Sequence, residues 1–322
     1  MILEAILLFA LGLGLLIGGA WVLVGGGTRI AAILGVPTVV VGLTVVAFGT
    51  SAPELFVSLM GAIRGSTGLV LGNVIGSNVA NLGLILATAA LLRPVIVEGG
   101  LVRREMPLLV VVTGLFTWFV WDGDLTRLEA GVLVGAFGVF IGWTLRQGDR
   151  GGSPVVPVGP TPPVVPPGHR LRGVLSGAAM VLGGIAGLAG GGHFIVNSAL
   201  VIAKQLGVSE TLIGLTLVAV GTSLPELATT VVAALRNEDD LALGNIVGSN
   251  LFNILAVAGP VGMYRELVDT DGFIRMQLAA MGLVTLMVFA MLRFGGGNLG
   301  RRRGALLLAV YGAVMIYWTT QN

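Results

Sequence analysis

Two stretches, Gly42–Leu55 (GLTVVAFGTSAPEL) and Leu71–Asn81 (LGNVIGSNVAN), return 172 residues later as Gly214–Leu227 (GLTLVAVGTSLPEL) and Leu243–Asn253 (LGNIVGSNLFN). The register holds without a gap, and 21 of the 40 positions from 42 to 81 match their counterparts. Shared apolar composition accounts for only a few such identities. The flanks, such as Ala31–Val36 against Ala203–Val208, continue weakly in the same register. The chain is a duplication.

Composition says what is duplicated. Of 322 residues, 55% are hydrophobic and only 11% charged, with a mean hydropathy of +0.97. A soluble domain carries about 25% charged residues. An ordinary soluble globule is therefore excluded, as are disorder, collagen and a coiled coil. A polytopic membrane protein remains. Ten segments supply the roughly 20 apolar residues that a crossing needs: 3–24, 38–62, 69–92, 106–121, 127–145, 173–203, 212–235, 241–263, 273–292 and 304–319. Alternating polarity is absent, which argues against an outer-membrane barrel. The first segment lacks a basic n-region and reads as a retained helix rather than a signal peptide. The 52 glycines suit closely packed membrane helices.

The expected architecture is all-α. Residues 1–146 form a first five-helix repeat, 147–172 a linker, and 173–322 a second five-helix repeat. Five crossings is an odd number, so the second repeat enters from the opposite side and the halves are inverted, a recurring plan of secondary transporters. The linker holds 7 of the 13 prolines and reads as an extended connector. With both termini outside, 13 of the 18 basic residues fall on the linker side, so that side is expected in the cytoplasm. A multi-pass integral membrane protein follows, with a prokaryotic plasma membrane as its expected location.

Glu54 and Glu226 are the only acids well inside the expected crossings, and they occupy equivalent repeat positions. A charge at the bilayer centre costs at least about 2.5 kcal/mol, so such residues are functional by default. Inversion about a central axis would bring them to one shared site. Pro53 and Pro225 precede them; each lacks an N–H and clashes with the carbonyl four residues back, at Gly49 or Gly221. The helix should break there. Its first half would end in free carbonyls around Ala47–Thr50 and Ala219–Thr222, the negative end of a helix dipole. Thr50 lies four residues before Glu54 on the same face, and Ser51 and Ser223 add hydroxyls. In the second motif, Asn73, Ser77 and Asn81 share one stripe, repeated by Asn245, Ser249 and Asn253. Glue between helices is the plainer reading for Asn73 and Asn78. Pooled, these are hard oxygen donors, without sulfur or imidazole. They suit Na⁺, Ca²⁺ or, less well, Mg²⁺, and not copper or zinc. Cysteine is absent, so thiolate chemistry is excluded.

GTSAPEL with GNVIGSNVAN, repeated as GTSLPEL with GNIVGSNLFN, resembles the two alpha-repeats of the sodium/calcium exchanger family in the cation/calcium antiporter superfamily. The resemblance implies alternating access, with Na⁺ entry driving Ca²⁺ export. By motif position it implies that Glu54 and Glu226 bind Ca²⁺ and Na⁺ in competition. Thr50 and Thr222 would give backbone oxygens to Ca²⁺. Ala47, Ser51, Ser77, Ala219, Ser223 and Ser249 would line flanking sodium sites, with Asn81 and Asn253 at the centre. Some relatives carry Asp at a central position; Asn at both removes a third charge and argues against potassium dependence. The proton-coupled branch usually has an acid in the second motif, where this chain has Gly-Ser-Asn. The transported ions are the expected substrates, with no cofactor, nucleic acid or obligate protein partner. The rivals are an H⁺- or K⁺-coupled cation exchanger, a cation channel, and an intramembrane hydrolase using Ser51 or Ser223. The hydrolase lacks a base: His169 is in the linker, and His193 has Trp21 as its repeat counterpart.

Overall fold

In the computed structural model the described residues are 2–97, 99–149, 170–205, 219–269, 272 and 274–321. Most of the expected linker, 150–169, lies outside them. Helix is found in each of the ten apolar stretches, of which 212–235 is described from 219 onward. They are α1 (Ile2–Leu34), α2 (Thr38–Thr50 with Ala52–Arg64), α3 (Thr67–Leu92), α4 (Gly99–Phe119) and α5 (Arg127–Asp149), then α6 (Arg170–Gln205), α7 (Ala219–Thr222 with Leu224–Leu235), α8 (Asp239–Tyr264), α9 (Ile274–Phe294) and α10 (Arg301–Gln321). Among the described residues six of these helices are long and apolar enough to cross a membrane alone, and α2, bent by 45° at its break, makes a seventh. α4 and α10 open with Arg103, Arg104 and Glu105, and with Arg301–Arg303, which dilute their hydropathy.

The repeats interleave. α3 and α8 are the most enclosed helices. α5 of the first repeat packs on the C-terminal part of α8, and α10 of the second packs on the C-terminal part of α3; α4 and α9 pack on each other. Two short antiparallel ribbons close the ends. β1 (Val95–Ile96) pairs with β4 (Asn298–Leu299), and β2 (Asp124–Leu125) pairs with β3 (Leu267–Val268). β1 and β3 are 172 residues apart, so each ribbon is the inverted counterpart of the other. Arginines tie the faces crosswise. Arg93 donates to the Ala234 carbonyl at 2.6 Å and pairs with Asp239 at 2.7 Å, while Arg265, its counterpart, donates to the Ala62 carbonyl at 3.3 Å. Ala62 and Ala234 are themselves repeat equivalents. These observations bear out an all-α membrane protein of two inverted repeats.

α1 and α6 run antiparallel along one flank with their backbones nearly touching. Gly12, Gly19 and Gly26 meet Gly191, Gly184 and Gly177 at seven-residue spacing. A Cβ on Gly184 would sit 2.6 Å from the Leu23 nitrogen, and one on Gly26 2.8 Å from the Gly177 carbonyl oxygen. Without a hydrophobic drive between helices in lipid, this close approach supplies the dispersion that holds them.

Candidate ion-binding site

The two breaks form as the prolines require. Ser51 (φ −84°, ψ 5°) and Ser223 (φ −89°, ψ 5°) interrupt α2 and α7, and Pro53 and Pro225 then sit in the first turn of the second halves. There a missing N–H costs nothing. Glu54 and Glu226 fall in that same first turn, at the positive end of the second helix half. The first half of each helix ends against them.

Both carboxylates are buried, at 1% and 0% exposure. Each is held by the serine of the other repeat: Ser51 Oγ donates to Glu226 Oε1 at 3.0 Å, and Ser223 Oγ to Glu54 Oε1 at 3.4 Å. The acids therefore meet at one centre, as inversion demands. The Thr50 hydroxyl lies 3.2 Å from Asn245 Oδ1, 3.4 Å from Ser249 Oγ and 3.3 Å from the Ala47 carbonyl. The Ala47 carbonyl also accepts the Ser51 N–H at 2.9 Å, so the first half of α2 closes its last turn around that oxygen. Thr222 is buried at the matching position of α7. Ala219 opens the described part of α7.

α3 and α8 supply the second layer. Ser77, Asn81, Ser249 and Asn253 are all buried. α8 packs on the first half of α2, and α3 packs on the first half of α7. Asn81 and Asn253 each start a π-helical turn, Asn81–Ile85 and Asn253–Ala258, and a third π turn, Gly42–Val46, precedes the break in α2. π turns widen the helix and re-aim side chains, and they recur at functional sites. Among the described residues, Glu54 Oε2, Glu226 Oε2, Asn81 Oδ1 and Asn253 Oδ1 are buried oxygens without a hydrogen-bond donor. A buried acceptor left without a partner costs about 1–3 kcal/mol.

Asn73 and Asn245 support the site from behind. Asn73 Nδ2 donates to the Glu54 carbonyl at 3.2 Å and to Ser58 Oγ at 2.9 Å, and Asn245 Nδ2 donates to Thr230 Oγ1 at 3.1 Å. Ser58 and Thr230 each lie one turn beyond the glutamates, at equivalent positions. Their i+4 spacing from Glu54 and Glu226 is the sequence signal for this support, and neither residue was among the expected site residues.

The sodium/calcium exchanger protein family model matches residues 4–146 and 176–320. The chain belongs to the sodium/calcium exchanger family. It is 37% identical to CaxA of Alkalimonas amylolytica, over 96% of this chain and 97% of that protein. It is 31% identical to the sodium/calcium exchanger MaX1 of Methanosarcina acetivorans, over 98% and 99%. Among solved structures, the sodium-calcium exchanger NCX_Mj, soaked with 2.5 mM Na⁺ and 0.1 mM Ca²⁺, superposes with a TM-score of 0.84 at 30% identity, covering 98% of this chain and 99% of that one. Members of this family are membrane antiporters rather than enzymes, and the multi-pass helical fold agrees.

Proposed function

We propose that the chain exchanges Na⁺ for Ca²⁺ by alternating access at the oxygen-lined centre between the two broken helices. The observation that carries this reading is the set of four buried, donorless oxygens on Glu54, Glu226, Asn81 and Asn253. Two carboxylates neutralise one Ca²⁺, or accept several Na⁺ in its place. Empty and charged, they would oppose sequestration in a dry site, so only a loaded centre switches between faces. Thr50 and Thr222 would add backbone oxygens to Ca²⁺. Ala47, Ser51, Ser77 and their counterparts Ala219, Ser223 and Ser249 would flank it with sodium ligands. Asn at 81 and 253 keeps the formal charge of these ligands at −2, which leaves no third charge for a co-transported K⁺. All ten helices would cross the membrane of a prokaryotic cell, with both termini outside.

A candidate route opens on one face. A cleft lined by Pro53, Phe56 and Val57 of α2 and by Leu188, His193 and Val196 of α6 runs down to Gly221, Thr222 and Pro225 at the α7 break. By the charge asymmetry of the loops this is the outer face.

The test is isotope flux in proteoliposomes. Ca²⁺ uptake is expected to follow an outward Na⁺ gradient and to reverse with it. Glu54→Gln and Glu226→Gln should each reduce uptake by about 30-fold or more, since removing one buried charge partner costs 2–5 kcal/mol. Near-normal uptake in both variants refutes the site. Uptake indifferent to Na⁺ makes the protein a channel, and dependence on a K⁺ or H⁺ gradient reassigns the coupling ion.

A further inference from the structure

The repeats share one sequence relation but not one set of contacts, and Arg236 is one place where they differ. Arg236 follows the last turn of α7 and turns towards α1. Its Nη1 donates to the Trp21 carbonyl at 3.2 Å, and its guanidinium carbon lies 5.1 Å from the centroid of the Trp21 ring. Gly25, one turn further along α1, leaves the space: a Cβ there would lie 3.3 Å from Arg236 Nη1. α1 is packed along the second half of α7 at this point. The guanidinium is thus both a donor to the α1 backbone and a cation over an indole face.

The repeat equivalents of Arg236 and Trp21 are Arg64 and His193, 172 residues away in each case. They sit on the opposite face and do not meet. The cleft separates their helices, with His193 on its wall. Arg64 is exposed, and the His193 ring is engaged within its own helix, Nε2 to Asn197 Nδ2 at 2.9 Å. One pair is closed on the face where residues 38–46 pack against α8; the other is apart on the face that carries the cleft. In a protein built of inverted repeats the alternate state is reached when the two halves exchange conformations.

We propose that Arg236 on Trp21 is a latch that keeps the linker-side route shut, and that Arg64 closing on His193 is its counterpart in the opposite state. The proposal rests on the alternating-access reading above. The α1–α6 pair, glycine-locked, moves as one body, so releasing Trp21 on one face and engaging His193 on the other are a single displacement. Removing the latch destabilises only the state seen here and shifts the population towards closure of the cleft.

The chain has no cysteine, so Val57→Cys on the cleft wall is a unique reporter. Its reaction rate with a membrane-impermeant maleimide reads the open fraction without any transport. In the reporter protein, Arg236→Gln and, separately, Trp21→Leu are expected to slow labelling by about tenfold, a shift of 1.4 kcal/mol. The double variant should slow it little beyond either alone, because both remove one contact. Unchanged or faster labelling in both single variants overturns the latch, as does full additivity in the double. Na⁺-driven Ca²⁺ flux measured on the unmodified protein separates the two ideas. Flux present with labelling unmoved rejects the latch and leaves exchange standing; flux absent rejects exchange itself. If Arg236→Gln fails to fold, labelling of Trp21→Leu decides for or against the latch by itself.

Discussion

Two serine hydroxyls bind the acids of the opposite repeat, and they do so unequally. Ser51 reaches Glu226 at 3.0 Å, whereas Ser223 reaches Glu54 at 3.4 Å. A hydrogen bond to a charged acceptor contributes about 1.5–3 kcal/mol, and most of that is lost as the geometry lengthens. Ser51→Ala is therefore expected to raise the Na⁺ concentration for half-maximal exchange by about tenfold, and Ser223→Ala by clearly less. Equal or reversed effects would show that the asymmetry plays no part in ion binding. The acids themselves were legible in the sequence, because an acid within an apolar run has few structural excuses. Glu105 was not. It is 5% exposed on α4 with Oε2 lacking a donor among the described residues, but Arg103-Arg104-Glu105 reads as a loop when hydropathy is averaged. The helix in fact begins at Gly99, before the segment expected from 106. The roles of Asn73 and Asn245 were likewise undecided. Spacing places an amide on a stripe without saying whether that stripe faces an ion or the back of a neighbouring helix.

Proline and glycine decide what each helix can do. Pro53 and Pro225 set the breaks, and the sequence placed these within a residue of where they occur, since the clash and the missing N–H are local facts. The seven-residue glycine ladder of α1 and α6 was not legible. Fifty-two glycines offer many candidate faces, and only the paired backbones show which are used. Neighbouring positions separate the two kinds. Gly184 has no room for a Cβ, which would press on the Leu23 nitrogen at 2.6 Å, a backbone atom that cannot swing aside. Gly183 meets nothing within 4 Å. Gly184→Ala is expected to cost about 1–3 kcal/mol by overpacking, whereas Gly183→Ala should be neutral or gain up to about 1 kcal/mol from helix propensity. Melting followed by tryptophan fluorescence in detergent should move down for the first and not for the second. A Gly184→Ala protein that melts at or above the parent would mean that close backbone contact is not what joins α1 to α6.

Inversion is written twice into the molecule, once in the 172-residue register and once in the crossed contacts that the register could not foretell. Strand β1 seeks β4 while its equivalent β3 seeks β2, and Arg93 and Arg265 reach equivalent carbonyls on opposite faces. The symmetry is broken where Arg93 finds Asp239 and Arg265 has only Thr67 at the matching place. That difference adds to the loop bias that puts 13 of 18 basic residues on the β1–β4 face. Arginine and lysine beside short loops resist translocation, so this face is expected in the cytoplasm and the β2–β3 face outside. Asp122 and Asn298 are exposed, the first just before β2 and the second within β4. A single cysteine at either position is unique in this chain. In intact cells an impermeant maleimide should react with Asp122→Cys and spare Asn298→Cys, and permeabilising the cells should expose the second. The cleft between α2 and α6 lies on the Asp122 side, so the same labelling also fixes which bath the cleft faces. The opposite pattern would place the linker outside and would turn the latch of Arg236 on Trp21 into an outer gate.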